Sequence, residues 1–449
     1  MLGIVVSRAD RASANIGEQL LTLADWDVEA DETRSDADGG GDVYRLDDVE
    51  LREFETRHLE LDAVDTVFDD PDLLVFASKH AGETGKLLTA HHTGNFGPAE
   101  YGGEDGAFAR AAPNAHASVV EALSRHAPEA YEVGMECTHH GPTDIDTPSM
   151  FVEVGSAEPQ WDDPDAARAV AKAILDLRGI APDAPRENDA RRHLVGFGGG
   201  HYAPRFERVV RETDWAIGHI GADWALDAMG EPDHEVLRAA FEASGAEYAL
   251  LADDRPDLAS AIESLGYRVV GETFTHETTG VPLSVVERVE DALGPIDAGA
   301  RLGDRARDHE GSLVVSALPA DLRDEVQGID PDRALAAVRR RAIGFDTVEG
   351  GTKLGDRVAL AEGSTLSAIV DDFAGILTER YESVERTPHA VVARKREFDP
   401  EKAATLGIPE GPAFGKLSAG QPVEIDGRTI DPDVVHVERE RRFPMPETS

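Results

Sequence analysis

A chain of 449 residues is long enough for two or three domains with a substantial core. Its only cysteine, Cys137, excludes an internal disulfide and a cysteine-rich zinc ribbon, so a metal site must draw on His, Asp and Glu. The net charge of −44, with seven lysines against thirty-seven arginines, coexists with apolar periodicity along most of the chain, which indicates a folded protein with an acidic skin and excludes a disordered acidic tail.

In chain order, residues 3–7 predict a short buried strand and residues 12–24 a helix, an α/β opening. Residues 31–42 are polar and Gly-rich, a loop. Residues 72–78 predict a second strand, with Lys79 and His80 just past its end. The run Leu87-Leu-Thr-Ala-His91 leads into His92, Asn95 and a Gly-rich loop. Residues 114–125 carry apolar side chains at helical spacing behind Pro113 and Asn114. Residues 131–137 alternate loosely and meet His139 and His140. Residues 149–155 predict a strand and 165–177 a helix. The strand 193–196 then leads into Gly198, Gly199, Gly200 and His201, and the strand 215–218 into His219. Helices and strands continue to alternate through residue 270.

This order predicts an α/β fold, a mostly parallel sheet with helices on both faces. Ligands of such sheets bind beyond the carboxyl ends of the strands, and the histidines fall there. Thirteen of the sixteen histidines precede residue 277, which assigns the chemistry to a first domain, residues 1–285. Gly294-Pro295, Gly299 and Gly303 mark a boundary near 280–305. Residues 305–449 then form a smaller α+β extension, with basic clusters at Arg339–Arg341, Arg394–Arg396 and Arg439–Arg442.

Imidazole and carboxylate suit zinc, and Glu136, His139, His140, His201 and His219 supply three ligands with groups to spare. Neighbouring strand residues face opposite ways, so His139 and His140 share a site only if the strand has ended, as Gly141-Pro142 indicates. Gly198–Gly200 permits close backbone approach and can cup an oxyanion, although a tight turn with no ligand is equally compatible. Thr143, Asp144 and Thr147 either orient an imidazole or cap a turn. Cys137 reads as a small apolar filler, and His58, His116, His126 and His234 as surface residues. No Gly-x-Gly-x-x-Gly follows the first strand, which disfavours dinucleotide binding.

Six blocks in fixed order resemble the archaeal and plant D-aminoacyl-tRNA deacylase family: Ala77-Ser-Lys-His80, His91-His-Thr-Gly-Asn-Phe-Gly97, Met135-Glu-Cys-Thr-His-His-Gly-Pro-Thr143, Pro148-Ser-Met-Phe-Val-Glu-Val-Gly-Ser156, Gly196-Phe-Gly-Gly-Gly-His-Tyr-Ala-Pro204 and Gly218-His-Ile220. The resemblance covers roughly residues 1–275. It implies a zinc-dependent hydrolase of the ester between a D-amino acid and the tRNA 3′ ribose, with a peptidyl-tRNA-hydrolase-like fold and two zinc ions per subunit. By position, His80, His91, Glu136, His139, His140, His201 and His219 match its blocks, while His92 stands where variation is expected.

The resulting expectation takes metal ligands from His140, His201, His219 and Glu136, and the catalytic set from His91, His139, His140 and Glu136, with His91 or His139 moving the proton. His80, Asn95, Thr143 and Gly198–Gly200 are expected to contact substrate. The rivals are a metal-free peptidyl-tRNA-hydrolase-like esterase using Asn95 and a histidine, and a non-catalytic tRNA-binding module.

The acidity resembles that of proteins from salt-loving archaea; at molar ionic strength the Debye length falls to about 3 Å and repulsion between carboxylates is screened. No run approaches the roughly 20 apolar residues of a membrane span, and residues 1–6 are too short for a secretion signal, so a cytoplasmic monomer without membrane partners is expected. The extension is expected to be this chain's departure from the family. Its residues 406–423 resemble a C-terminal segment of zinc-dependent tRNA 3′-processing endonucleases, whose metal loop is absent, and read as a turn-rich structural module.

Overall fold

Leu2–Ser7 (β1) is buried at every position, as a strand covered on both faces must be. The computed structural model describes residues 1–187, 190–425 and 427–445, and the chain divides into two units, Met1–Thr279 and Gly280–Ser449. In the first unit β1 lies inside an eight-stranded sheet with Asp27–Asp31 (β2), Gly41–Leu46 (β3), Val49–Phe54 (β4), Leu73–Lys79 (β5), Leu87–His91 (β6), Glu132–Met135 (β7) and Ser149–Gly155 (β8), in the order β2-β3-β4-β1-β5-β8-β6-β7. Strands β4, β1, β5 and β8 run parallel, whereas β6 pairs antiparallel with β8 and carries β7 parallel to itself.

After the short ladder of Arg186–Glu187 (β9) with Ala190–Arg191 (β10) comes a second sheet, of His193–Phe197 (β11), Ala216–Gly221 (β12), Tyr248–Leu251 (β13) and Arg268–Val270 (β14). Its order is β12-β11-β13-β14 and every pairing is parallel. The α/β, mostly parallel character expected from the alternation is present. It is divided between two sheets instead of one, and within the first the β6–β7 segment reverses direction.

Helices follow the strands as the sequence directs. Asp10 caps Arg11–Leu23 (α1), its carboxylate accepting from the amides of Ala12 at 3.0 Å and Ser13 at 3.1 Å. Pro113–His126 (α2) and Pro164–Leu175 (α4, after the single turn Glu158–Trp161, α3) begin with proline, whose missing amide costs nothing in a first turn. Alanines buried along α4 let it pack against α1 and α2. Pro204–Glu212 (α5), Asp223–Met229 (α6) and His234–Ser244 (α7) accompany the second sheet. Gly218 on β12 permits α7 to approach, since a Cβ there would lie 2.4 Å from Ser244 Oγ.

Two apolar clusters fill the unit, one around Phe54, Phe76 and Phe151 and one around Phe197, Leu237 and Phe241. Each such aromatic contributes about 1.5–3 kcal/mol by leaving water. His58 and His116, expected at the surface, are buried. His58 meets the rings of Phe76 and Phe151 edge-on, and the His116 ring lies 4.6 Å from that of His92.

The second unit has α+β character. A four-stranded antiparallel sheet and a separate three-stranded one, with helices between, enclose a core that includes Phe345, Phe373 and Phe443. The basic clusters at 394–396 and 439–442 sit on paired strands, Ala390–Phe398 and His436–Pro444, where Arg394 meets Glu440 at 2.8 Å and Arg439 meets Glu397 at 3.3 Å. Lys395, Arg396 and Arg441 also have acidic partners, in Glu397, Asp433 and Glu325. Residues 406–423 enclose a small core of Ile408 and Leu417 with Ala403, Val423 and Val435. Among the described residues no helix is long and apolar enough to cross a membrane.

Candidate functional site

The antiparallel course of β6 decides where the histidines meet. It sets His91 opposite Phe151 of β8, so Glu153, two residues further along β8, shares that face. His80 follows β5 and donates its amide to Val154 O at 3.0 Å. Beyond β7, Glu136 and Cys137 are pinned between β6 and the Gly198–His201 turn, by Glu136 N to Ala90 O at 3.2 Å and Cys137 N to His201 O at 2.8 Å. The strand has ended before His139, and His140 takes a left-handed φ of 50°. Both imidazoles thereby turn to one side, and the cluster gathers residues that follow the ends of β5, β7 and β11 around Glu153 of β8.

Seven titratable side chains converge: His80, His91, Glu136, His139, His140, Glu153 and His201. Glu136 Oε2 lies 2.8 Å from His201 Nε2 and 3.7 Å from His139 Nε2, and Glu136 Oε1 lies 3.0 Å from His80 Nδ1. Glu153 stands 3.7 Å from His80 Nδ1 and 3.8 Å from His91 Nε2. Three of the imidazoles share one device. His91, His139 and His140 donate Nδ1–H to the carbonyls of His92 (3.1 Å), Cys137 (2.8 Å) and Gly141 (2.7 Å). A carbonyl only accepts, so Nδ1 carries the proton and Nε2 presents its lone pair to the cluster.

The charge balance fits a cation. Two buried carboxylates require two positive charges nearby, from two imidazolium ions or one divalent metal. Burial favours the neutral forms of Glu136 and Glu153, yet their histidine neighbours hold both below the usual carboxylate range. Burial likewise opposes charge on His80, but contacts with Glu136 and Glu153 outweigh it and raise its pKa to about 11. His91 is raised by the same carboxylates against its burial. Burial and the neighbouring imidazoles push His139 well down and His140 to about 4, which keeps them neutral as ligation requires. Within the cluster, His91 Nε2 is buried with no hydrogen-bond partner. Donor atoms come within 4.8 Å of one another in the sets His91–His139–His140, His80–Glu136–His201, His91–Glu136–Glu153 and Cys137–His139–His201, so the residues present fit a metal ion.

Not every expected residue belongs to the cluster. His219 lies mid-strand on β12, where Nε2 donates to Ala109 O at 3.0 Å and Nδ1 meets Thr138 Oγ1 at 3.1 Å. With both nitrogens engaged and its pKa lowered by burial to about 3, His219 ties neighbouring segments together and lies outside the cluster. His92 is similarly structural, since Nδ1 donates to Gly218 O and Nε2 accepts from Ala112 N. Gly198 and Gly199 take left-handed φ values of 101° and 82° and shape the turn that delivers His201. Thr143 Oγ1 accepts from the Glu104 amide at 3.0 Å and orders the adjoining loop.

Glu153 was missed by sequence reasoning, although a lone carboxylate within a fully buried strand was its visible mark. Cys137 was read as filler. Its sulfur lies 3.9 Å from His201 Nδ1, while burial and the Glu136 charge push the thiol up to about 12.

An apolar cavity of about 260 Å³ opens beside the cluster. His139, His140 and His201 form its polar wall, and Asn95, Phe96, Tyr101, Thr138, Trp224 and Ala225 line the rest together with neighbouring loop residues. Gly198–Gly200 does not line it.

Residues 67–270 match the sequence profile described as D-aminoacyl-tRNA deacylase. A protein of that name from Haloarcula marismortui is 59% identical, across 99% of this chain and 100% of its own length. One from Natronomonas pharaonis is 52% identical across 99% and 100%. One from Methanosphaerula palustris is 32% identical across 96% and 95%. The second unit is thus shared with relatives in haloarchaea and beyond, and is not the peculiarity of this chain that the sequence suggested. The crystal structure of the conserved protein of unknown function AF0625 superposes with a TM-score of 0.54 at 30% identity, covering 62% of this chain and 98% of its own. Together with the conjunction of histidines and carboxylates, these likenesses place the chain in the D-aminoacyl-tRNA deacylase family.

Proposed function

We propose that the protein hydrolyses the ester linking a D-amino acid to the 3′ ribose of tRNA, releasing both and removing mischarged tRNA from translation. The family supplies the reaction class. The observation that ties the reaction to these residues is the convergence of the unpartnered His91 Nε2 and the Glu136 carboxylate with the Nε2 lone pairs of His139 and His140. Imidazole and carboxylate donors suit zinc, and the sets His91–His139–His140 and His80–Glu136–His201 have no residue in common, which supports two ions per subunit. Bound zinc supplies Lewis acidity toward an ester carbonyl or a water.

An aminoacyl ester is already reactive, so the remaining tasks are positioning and proton transfer. Glu136 and Glu153 fix the histidines around them and offset half the charge of two divalent ions. His139 adjoins Glu136 and also lines the cavity, so its Nε2 either ligates the ion or, left free, relays the attacking water's proton to the departing ribose oxygen; the fully buried His91 holds its ligand geometry. Asn95 contacts substrate from the cavity wall, and His80 and Thr143 order the groups behind it. The same reading assigns the first unit to catalysis, gives it a sheet architecture akin to peptidyl-tRNA hydrolase, and makes the protein a cytoplasmic monomer.

Incubation with D- and L-tyrosyl-tRNA in molar KCl tests the function. Release of D-tyrosine alone, abolished by chelation and restored by zinc, is the expected result. Equal hydrolysis of both stereoisomers would overturn the chirality assignment. Full turnover by exhaustively metal-stripped protein would favour the metal-free esterase.

A further inference from the structure

Among the described residues, the Phe, Tyr and Trp side chains that stand out most into solvent are Tyr101, 69% exposed, and Trp224, 52% exposed, and both line the cavity beside the histidine cluster. They come from remote parts of the chain, the loop after Pro98 and the start of α6. The Trp224 indole interacts with the Cys137 thiol, and about half of the side chain stays open to solvent.

The rest of the lining identifies the kind of group it takes. None of its side chains is Lys or Arg, and Glu100 adds a negative charge, so a phosphate is not the occupant. Phe96, Pro98, Ala225 and Ala228 make the lining apolar. Asn95 donates both amide hydrogens to backbone carbonyls, of Gly102 at 3.1 Å and Glu104 at 3.2 Å, which fixes the amide and leaves Oδ1 to accept. Aromatic faces with hydrogen-bond acceptors beside them match a neutral planar ring that bears an exocyclic amino group.

We propose that this cavity is a stacking subsite for the terminal adenine of the tRNA 3′ end, with Trp224 and Tyr101 as the platform and Asn95 Oδ1 as acceptor for the adenine amino group. The proposal rests on the deacylase reading, because the ester under attack hangs from the ribose that carries this base. Histidines of the cluster form one wall of the same cavity, so an ester at that wall places its base against the aromatic residues. The base is common to all tRNA 3′ ends, whereas amino-acid side chains vary, and an open platform suits the constant group.

The test uses the full chain in molar KCl with uncharged CCA trinucleotide, and CCU as control, titrated by calorimetry. CCA is expected to bind at least about ten-fold more tightly than CCU. Trp224→Ala and Tyr101→Ala should each weaken CCA by about ten-fold, and Trp224→Phe should restore most of the affinity. In deacylation, Trp224→Ala should raise KM by a similar factor with a much smaller effect on kcat. Equal affinity for CCA and CCU, unchanged CCA affinity in both alanine variants, or displacement of CCA by D-tyrosinamide would overturn the subsite. Tight, Trp224-dependent CCA binding by a protein that hydrolyses no aminoacyl-tRNA would leave the subsite standing and remove the deacylase reading instead.

Discussion

Glu153 is enclosed by His80, His91 and apolar strand residues, so its charge must be met within the protein. Glu153→Gln keeps the shape and deletes the charge. It should lower zinc per subunit, measured by elemental analysis, and reduce kcat by at least about ten-fold, the common cost of losing a group that orients metal ligands. A second comparison separates two histidines. His201→Ala should lose bound zinc, whereas His219→Asn should keep zinc and lower the unfolding midpoint, since it gives up only ties to Ala109 and Thr138. Zinc loss in the His219 variant and retention in the His201 variant would reverse the assignment. In sequence these two residues look alike, each a histidine after an apolar run. The difference is spatial: His201 lies beyond its strand in a turn, and His219 lies within β12 with its ring in the packing between the sheets. Local pattern reports that a strand is buried, but not which residues surround it. Glu153 was legible in principle, because a carboxylate does not occupy a core strand without a partner.

At the scale of elements, strand and helix alternation was readable because apolar spacing records burial. The direction of β6 was not, because pairing is a long-range choice with no local mark. That single reversal sets His91 opposite Phe151 and so brings it to Glu153 of β8. Glycines show the same division. Gly218→Ala forces Cβ against Ser244 and should cost about 1–3 kcal/mol in denaturant unfolding at fixed salt. Gly199→Ala meets no atom within 4 Å, so only its left-handed backbone opposes it, at about 1–2 kcal/mol. Its KM should stay near that of the parent; a large KM change would return the glycine turn to the substrate surface.

Buried histidines give the elements an acid limit. His58, His116 and His219 have pKa values lowered by burial to about 4, 4 and 3 from 6.5. Below pH 6.5 the unfolded chain takes up protons that the folded chain refuses, so stability is complete above that pH and is lost as pH falls toward 4. Each site should cost about 2 kcal/mol by pH 5. Unfolding at pH 5 should therefore take up close to three protons from these sites, measurable from the pH dependence of the midpoint; a midpoint flat from pH 7 to 5 would contradict their burial.

For the whole molecule, composition was the most legible property. A charge of −44 makes the folded state repel itself, and concentrated salt screens that repulsion. Most ion pairs at the surface are exposed and contribute little individually, so they do not offset it. The thermal midpoint should fall steeply as KCl is diluted from molar to tens of millimolar, and a higher midpoint in dilute buffer would contradict this account. The sequence suggested two parts from its change of texture, whereas the sharing of the second part with relatives needed comparison with other chains.

The carbonyls that hold Nδ1 of His91, His139 and His140 have a consequence for how such proteins diverge. They belong to the main chain, so no substitution deletes them, and the aim of these three rings is inherited with the course of the backbone. A lineage adapting to brine can exchange nearly every surface side chain for a carboxylate without re-aiming its reactive centre. Solvent adaptation and catalytic geometry then evolve as separate traits within one chain.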